Sequence, residues 1–166
     1  RNASSIQWKG TKMRGTRKHE GTIEIRKGYF MTANNQLTGG HFIIDMRTIT
    51  VTDIPIHEPV PLKNLTDHLK GIDFFDVARF PTATFEITAI KKEFSDNLKV
   101  SGNLTIKGMT KTITFDALYT NAIFSTTFTI DRFQWNIASK DNLADKTLID
   151  RDIELRIKIK GITNQD

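Results

Sequence analysis

Leu65–Ile87, LTDHLKGIDFFDVARFPTATFEI, is the stretch that departs from the rest of the chain. Leu62, Leu65, Leu69 and Ile72 fall at helical spacing, which predicts about two or three turns of amphipathic helix. Pro61 stands where a first-turn proline is tolerated, and Gly71 is placed to end the helix in a left-handed conformation. Asp73-Phe74-Phe75-Asp76 then sets two aromatic rings between two carboxylates. Pro81 holds Phe80 extended, because the proline ring clashes with a helical neighbour. A helix feeding an aromatic knot, in a chain that otherwise reads as strands, predicts a plug or lid over one end of a barrel.

On both sides of this stretch the apolar residues alternate. Ile6 and Trp8 mark a short first strand, and Lys9 to His19 reads as a polar connection. Ile23 and Ile25 share a face of a strand from Glu20 to Phe30. Lys27-Gly28 interrupts its alternation as a glycine bulge would. Phe42, Ile44 and Met46 share a face of the strand from Leu37 to Thr50. Alternation resumes at Ala83, Phe85 and Ile87, again from Leu98 to Ile106, then at Ile113, Phe115 and Ala117, and from Ala122 to Ile130. A final strand runs from Leu148 to Ile159. Turn signals stand at Asn34-Asn35, Ser95-Asp96-Asn97, Lys107-Gly108 and Asn121. About eight strands with short links favour antiparallel neighbours, and one apolar face per strand fits a single interior. The predicted fold is all-β, an eight-stranded antiparallel barrel with one short helix. An eight-stranded barrel has room for one small ligand.

The chain has 166 residues, enough for one domain that buries its own core; the expected domain spans 4–161, with tails at 1–3 and 162–166. It is 38% hydrophobic and contains 11 Phe against 2 Tyr and 2 Trp. Phe has no polar group to satisfy, so these rings belong in a dry core or cavity. The absence of Cys excludes a thiol nucleophile and cysteine metal sites. Residues 1–30 hold eight basic and two acidic residues, so the net charge of +5 is concentrated there. A basic face of this kind suits a solvated strand surface, an anionic membrane or a nucleic acid. No aromatic residue other than Trp8 lies before Lys27, which argues against stacking on nucleic-acid bases. No run of 18 apolar residues is present. The chain begins RNASS without Met, as expected of a form whose targeting segment has been removed.

Four motifs occur in order. They are Gly39-Gly40-His41-Phe42-Ile43-Ile44-Asp45-Met46; His68-Leu69-Lys70 with Asp73-Phe74-Phe75-Asp76, Phe80-Pro81 and Phe85; Gly102 to Lys111, GNLTIKGMTK; and Ile130-Asp131-Arg132-Phe133-Gln134-Trp135. Together they resemble the YceI-like family of polyisoprenoid-binding, lipocalin-like proteins, over about Ile6 to Gly161. The resemblance implies a lipocalin-like barrel enclosing a long apolar chain: a polyisoprenoid, an isoprenoid quinone or a fatty amide. It implies carriage or storage rather than catalysis, no cofactor beyond that lipid, and a periplasmic or secreted protein.

From pattern alone, the Phe-rich interior reads as core packing; the resemblance turns it into a tunnel wall. The candidate ligand-binding residues are Phe42, Ile44, Met46, Phe75, Phe80, Phe85, Phe115, Phe124, Phe128 and Trp135, with His68 and Arg151 as polar contacts. His19 is a further candidate at the tunnel mouth. Arg151 falls on the inward register of the last strand, where it would need Asp45, Asp150 or a ligand head group as partner. Asp73 and Asp76 read as caps on backbone amides at the helix exit. His19, His41, His57 and His68 lack metal-site spacing. The alternatives are a lipid-processing barrel enzyme with His68 or His19 as base, and an anionic-membrane or nucleic-acid module using the basic N-terminal third. A transient membrane contact and a homodimer stay open.

Overall fold

The computed structural model describes residues 4–12, 14–137 and 149–161. Eight strands follow one another: β1 Ser5–Lys12, β2 Arg17–Ala33, β3 Gln36–Val51, β4 Thr82–Lys92, β5 Asn97–Ile106, β6 Met109–Thr120, β7 Ile123–Asp131 and β8 Ile149–Lys160. Each pairs antiparallel with its neighbour in sequence, and β8 closes the barrel on β1, with Ile6 opposite Ile157 and Trp8 opposite Leu155. One helix, α1 Pro59–Lys70, lies between β3 and β4, and a 3₁₀ turn, Arg132–Trp135, follows β7. The expected barrel with one helix is the fold.

The strand links alternate between two ends. At one end are the turns Asn34-Asn35 and Asn121-Ala122, all four residues at positive φ, and the tight link holding Ser95 at φ 60. Paired positive φ gives the turn whose twist matches that of antiparallel strands. At the other end are the β1–β2 link, the long 52–81 connection carrying α1, the turn Lys107-Gly108 and the start of the β7–β8 link. We call these the turn end and the helix end.

β2 and β3 are the longest strands, and their ladder is interrupted by register shifts between Thr22 and Glu24 and between Ile25 and Lys27. The extra β2 residue is therefore Arg26, and the expected bulge at Lys27-Gly28 lies slightly earlier. Gly28 instead makes room for a ring: a Cβ there would stand 2.2 Å from Cδ1 of Phe42. The first shift turns both Met46 and Ile49 into the core, a spacing simple alternation does not produce. β1 extends to Lys12 and β2 begins at Arg17, so the polar connection expected over Lys9 to His19 is mostly strand.

The helix starts at Pro59, earlier than Pro61 suggests, and ends differently from expectation. Gly71 is extended, with φ −75° and ψ 169°. The returning chain satisfies the last helical carbonyls: Phe75 N–H donates to Leu69 O at 3.1 Å and Val77 N–H to Lys70 O at 3.1 Å. A left-handed cap is unnecessary because the knot supplies the donors. Positive φ falls on Asp76 instead. Its buried carboxylate accepts from Arg79 Nε at 2.6 Å rather than from backbone amides, and Asp73 is exposed. Leu69, Phe74 and Phe75 are buried in a cluster with Trp8, Met46 and Trp135, while Ile72 points to solvent.

Trp8 spans the β2–β3 ladder, donating from Nε1 to Thr50 O at 3.0 Å across Gly21. A Cβ on Gly21 would lie 1.7 Å from Thr50 O and 2.7 Å from Trp8 Nε1. Gly21→Ala should therefore lower unfolding stability by about 3 kcal/mol. Gly10→Ala, with nothing within 4 Å of its Cβ, should change it by less than about 1 kcal/mol. Urea unfolding of both variants checks the contrast; equal effects would contradict the tight crossing.

Candidate functional site

The barrel is closed but not filled. Ile25, Ile44, Phe85, Ile113, Phe128, Leu155, Ile157 and Ile159 face inward yet remain only half-buried. They line a cavity of about 160 Å³. That is about ten times the space one water centre needs, in a wall with few partners to hold water. An unfilled apolar space forfeits dispersion contacts along its whole lining.

Nine of the twelve candidate ligand-binding residues lie in this wall, as does His19. β3 contributes Phe42, Ile44 and Met46; β4 contributes Phe85; β6 contributes Phe115; β7 contributes Phe124 and Phe128. Phe75 from the knot and His68 from α1 close the helix end. Three candidates lie elsewhere. Phe80 sits outside the cavity, beneath the Arg79 guanidinium at 5.5 Å and against Gly108. Trp135 is buried at the helix end outside the cavity lining, where its Nε1–H donates to Leu104 O at 3.0 Å. Arg151 is not inward: its side chain is 65% exposed and pairs with Asp131 at 3.4 Å. At the mouth of β8 a guanidinium reaches water and a carboxylate more readily than an apolar interior.

The wall changes character along its length. Towards the turn end it is aromatic: Phe30 meets Phe42 at 4.8 Å and Phe124 at 5.3 Å, and Phe115 stacks on Phe128 at 4.3 Å. At the helix end Thr11, Lys12, His19, His68, Arg132 and Asp150 reach the lining. His19 Nδ1 lies 2.8 Å from Asp53 Oδ2, and Asp53 Oδ1 accepts from Glu20 N–H at 3.0 Å, so the imidazole is oriented by a fixed carboxylate. The His68 ring packs on Phe74. Arg132 is fully buried, donating from Nε to Asp150 O at 3.0 Å and from Nη1 to Ile137 O at 2.6 Å. Asp131 faces Arg151 and caps Phe133 N–H at 3.1 Å.

Asp150 ties the β1–β2 link to the mouth. It accepts from the Thr11 hydroxyl, from Arg14 N–H at 3.0 Å and from Gly15 N–H at 2.9 Å. These bonds, the Thr11 hydroxyl first, and the nearby Arg132 charge hold its carboxyl below the usual carboxylate range. Thr11 and Lys12 carry no periodic signal, and alternation sets Asp150 on the outer face of the last strand, so their meeting at the mouth escapes such a reading. His41 stacks on Tyr29 on the outer surface and His57 is exposed. Among the described residues no cluster of three or more metal-ligating side chains occurs.

A family model described as YceI-like domain matches residues 1–161. The chain belongs to this family. Fifty residues, 30% of this chain and 26% of the relative, are 50% identical to Protein YceI of Salmonella arizonae, and the same holds for Salmonella newport. The match thus spans about a quarter of those relatives' length. Among solved structures, BcnA of Burkholderia cenocepacia superposes with a TM-score of 0.76 at 20% identity, over 93% of this chain and 94% of that one. A polyisoprenoid binding domain from Saccharophagus degradans gives 0.67 at 14% identity, over 95% and 92%. The YceI protein of Campylobacter jejuni gives 0.60 at 21% identity, over 82% and 81%. At these identities the likeness is one of fold. The family read from the four motifs is the family found.

A carboxyl with a lowered folded-state pKa adds stability that is present above its unfolded pKa and lost as pH falls through the folded one. Asp150→Asn should therefore be less stable than the parent at pH 7, with the gap closing below about pH 4. Denaturation at a series of pH values, with hydrogen exchange at the Arg14 and Gly15 amides, checks this. A gap independent of pH would contradict the role given to the carboxylate.

Proposed function

We infer that this YceI-like barrel carries a long-chain amphiphilic lipid, holding its apolar tail in the interior and its head group at the helix end. Polyisoprenoid, isoprenoid-quinone and fatty-acyl chains fit the chemistry of the wall. The observation that carries this reading is the half-buried state of inward-facing apolar side chains in a closed barrel. A tail entering that space removes the lining from water-sized gaps, with a gain of about 0.8 kcal/mol for each methylene buried. The polarity gradient supports one orientation. Phe rings crowd the turn end, whereas His19, His68, Lys12 and Arg132 stand at the helix end. Membership in the family and the fold shared with a domain named for polyisoprenoid binding lend support. The polar groups at the mouth are engaged in holding structure: Asp150 fixes the β1–β2 link, Asp53 orients His19, and Arg132 binds two backbone carbonyls. That arrangement suits docking of a head group more than bond cleavage.

Trp8 lines the cavity and reports on its filling. Titration with prenyl alcohols of increasing length should change its fluorescence. The affinity should rise with each added unit until the tunnel is full, and salt should have little effect. Ile44→Phe together with Ile157→Phe, which fills the cavity from two walls, should weaken binding by about tenfold or more, the equivalent of about two lost methylenes. Affinity independent of chain length, or unaltered by these substitutions, would contradict the reading.

A further inference from the structure

The tunnel mouth shares its rim with two features that tail binding does not require. One is the β1–β2 link: Lys12, Arg14, Arg17 and Lys18 lie within seven residues that include no carboxylate. Asp150 clamps the link through the amides of Arg14 and Gly15, so these cations are held at the mouth. The other is a pair of aliphatic side chains in water, Ile56 at 89% exposure and Val60 at 67%, before and on the first turn of α1. Hydrogen bonds join the two features: Thr52 N–H donates to Glu20 O at 2.9 Å, and Asp53 pairs with His19. Cations and exposed aliphatics therefore border the one end at which polar groups reach the cavity.

We propose that this rim docks on an anionic lipid bilayer, so that the mouth opens towards the membrane. The proposal rests on the carrier reading. Cations are drawn to the negative surface potential of acidic lipids, and isolated aliphatic side chains gain by entering the interface. A long apolar tail moved between bilayer and barrel at such a contact avoids exposure to water. The turn end also exposes apolar residues, among them Phe94 at 86%, but aromatic packing closes the cavity there. The mixed chemistry of the rim, and its continuity with an apolar cavity, favour a lipid surface over an acidic protein.

Flotation with phosphatidylcholine vesicles, with and without about one third phosphatidylglycerol, tests this. The protein should float only with the anionic vesicles and should detach as salt rises from about 0.05 to 0.5 M. Arg14→Gln, Arg17→Gln and Lys18→Gln together should weaken binding by about a hundredfold. Ile56→Ser with Val60→Ser should weaken it several-fold, and Phe94→Ser should not. Uptake of a prenyl alcohol from detergent solution should be unchanged in all of these variants. Absence of vesicle binding with uptake intact would overturn the docking proposal and leave the carrier reading standing. Vesicle binding without uptake from detergent would overturn the carrier reading instead. Binding that survives the three glutamines, that is lost equally with Phe94→Ser, or that occurs on immobilised polyglutamate but not on vesicles, would overturn the docking proposal.

Discussion

The antiparallel seam between β1 and β8 is the constraint on which the rest depends. Once it forms, the eight strands close into a ring, in which β6 and β7 are joined only over Leu118–Thr120 and Ile123–Ser125. The wall then stands on its ladders rather than on complete filling of its centre. A sandwich of two sheets would have to collapse until its inner faces touched. A closed barrel can leave half-buried isoleucines and phenylalanines around a hollow, as Ile44, Phe85 and Ile157 do here. The bulges in the β2–β3 ladder and the missing side chains at Gly21 and Gly28 let the longest strands bend into that ring.

Closure also sorts the chemistry by end. Up-and-down order sends every second link to the same rim, so the turns at 34–35 and 121–122 gather at one end and the longer connections at the other. The tight turns leave no space for a lid, and the interior beside them is filled by Phe30, Phe42 and Phe124. The long connections bring α1, the aromatic knot, His68 and Arg132 to the opposite rim, where β2 also begins with His19 near its start. Polarity along the tunnel is thus a consequence of which links are long.

Much of this was legible in the sequence, for physical reasons that differ from element to element. Period-two alternation placed Phe42, Ile44, Phe85, Phe115 and Phe128 on inward faces because one side of each strand is solvated. Asparagines at positive φ marked two turns. The family was readable from motifs such as DFFD and GNLTIKGMTK, with the barrel they imply. Alternation failed where the ladder slips or stops. Arg151 follows the inward register in sequence but lies at the open end of β8, where water and Asp131 are within reach. Phe80 sits in a connection, where strand parity has no meaning, and Trp135 lies in a 3₁₀ turn at the helix end, beyond the strands. Gly71 offered a left-handed cap that the knot made unnecessary. Thr11, Lys12 and Asp150 meet only through pairing of β1 with β8 across most of the chain. No local pattern encodes that meeting.

The central claim is that the hollow of this barrel exists to hold a long apolar chain. Native mass spectrometry of the purified protein, followed by organic extraction and identification of what is released, tests it most directly. One amphiphilic long-chain molecule is expected for each chain, or stoichiometric uptake when the stripped protein is mixed with prenyl lipids. A protein that purifies empty and takes up none of them would contradict it, and the cavity would then be no more than imperfect packing.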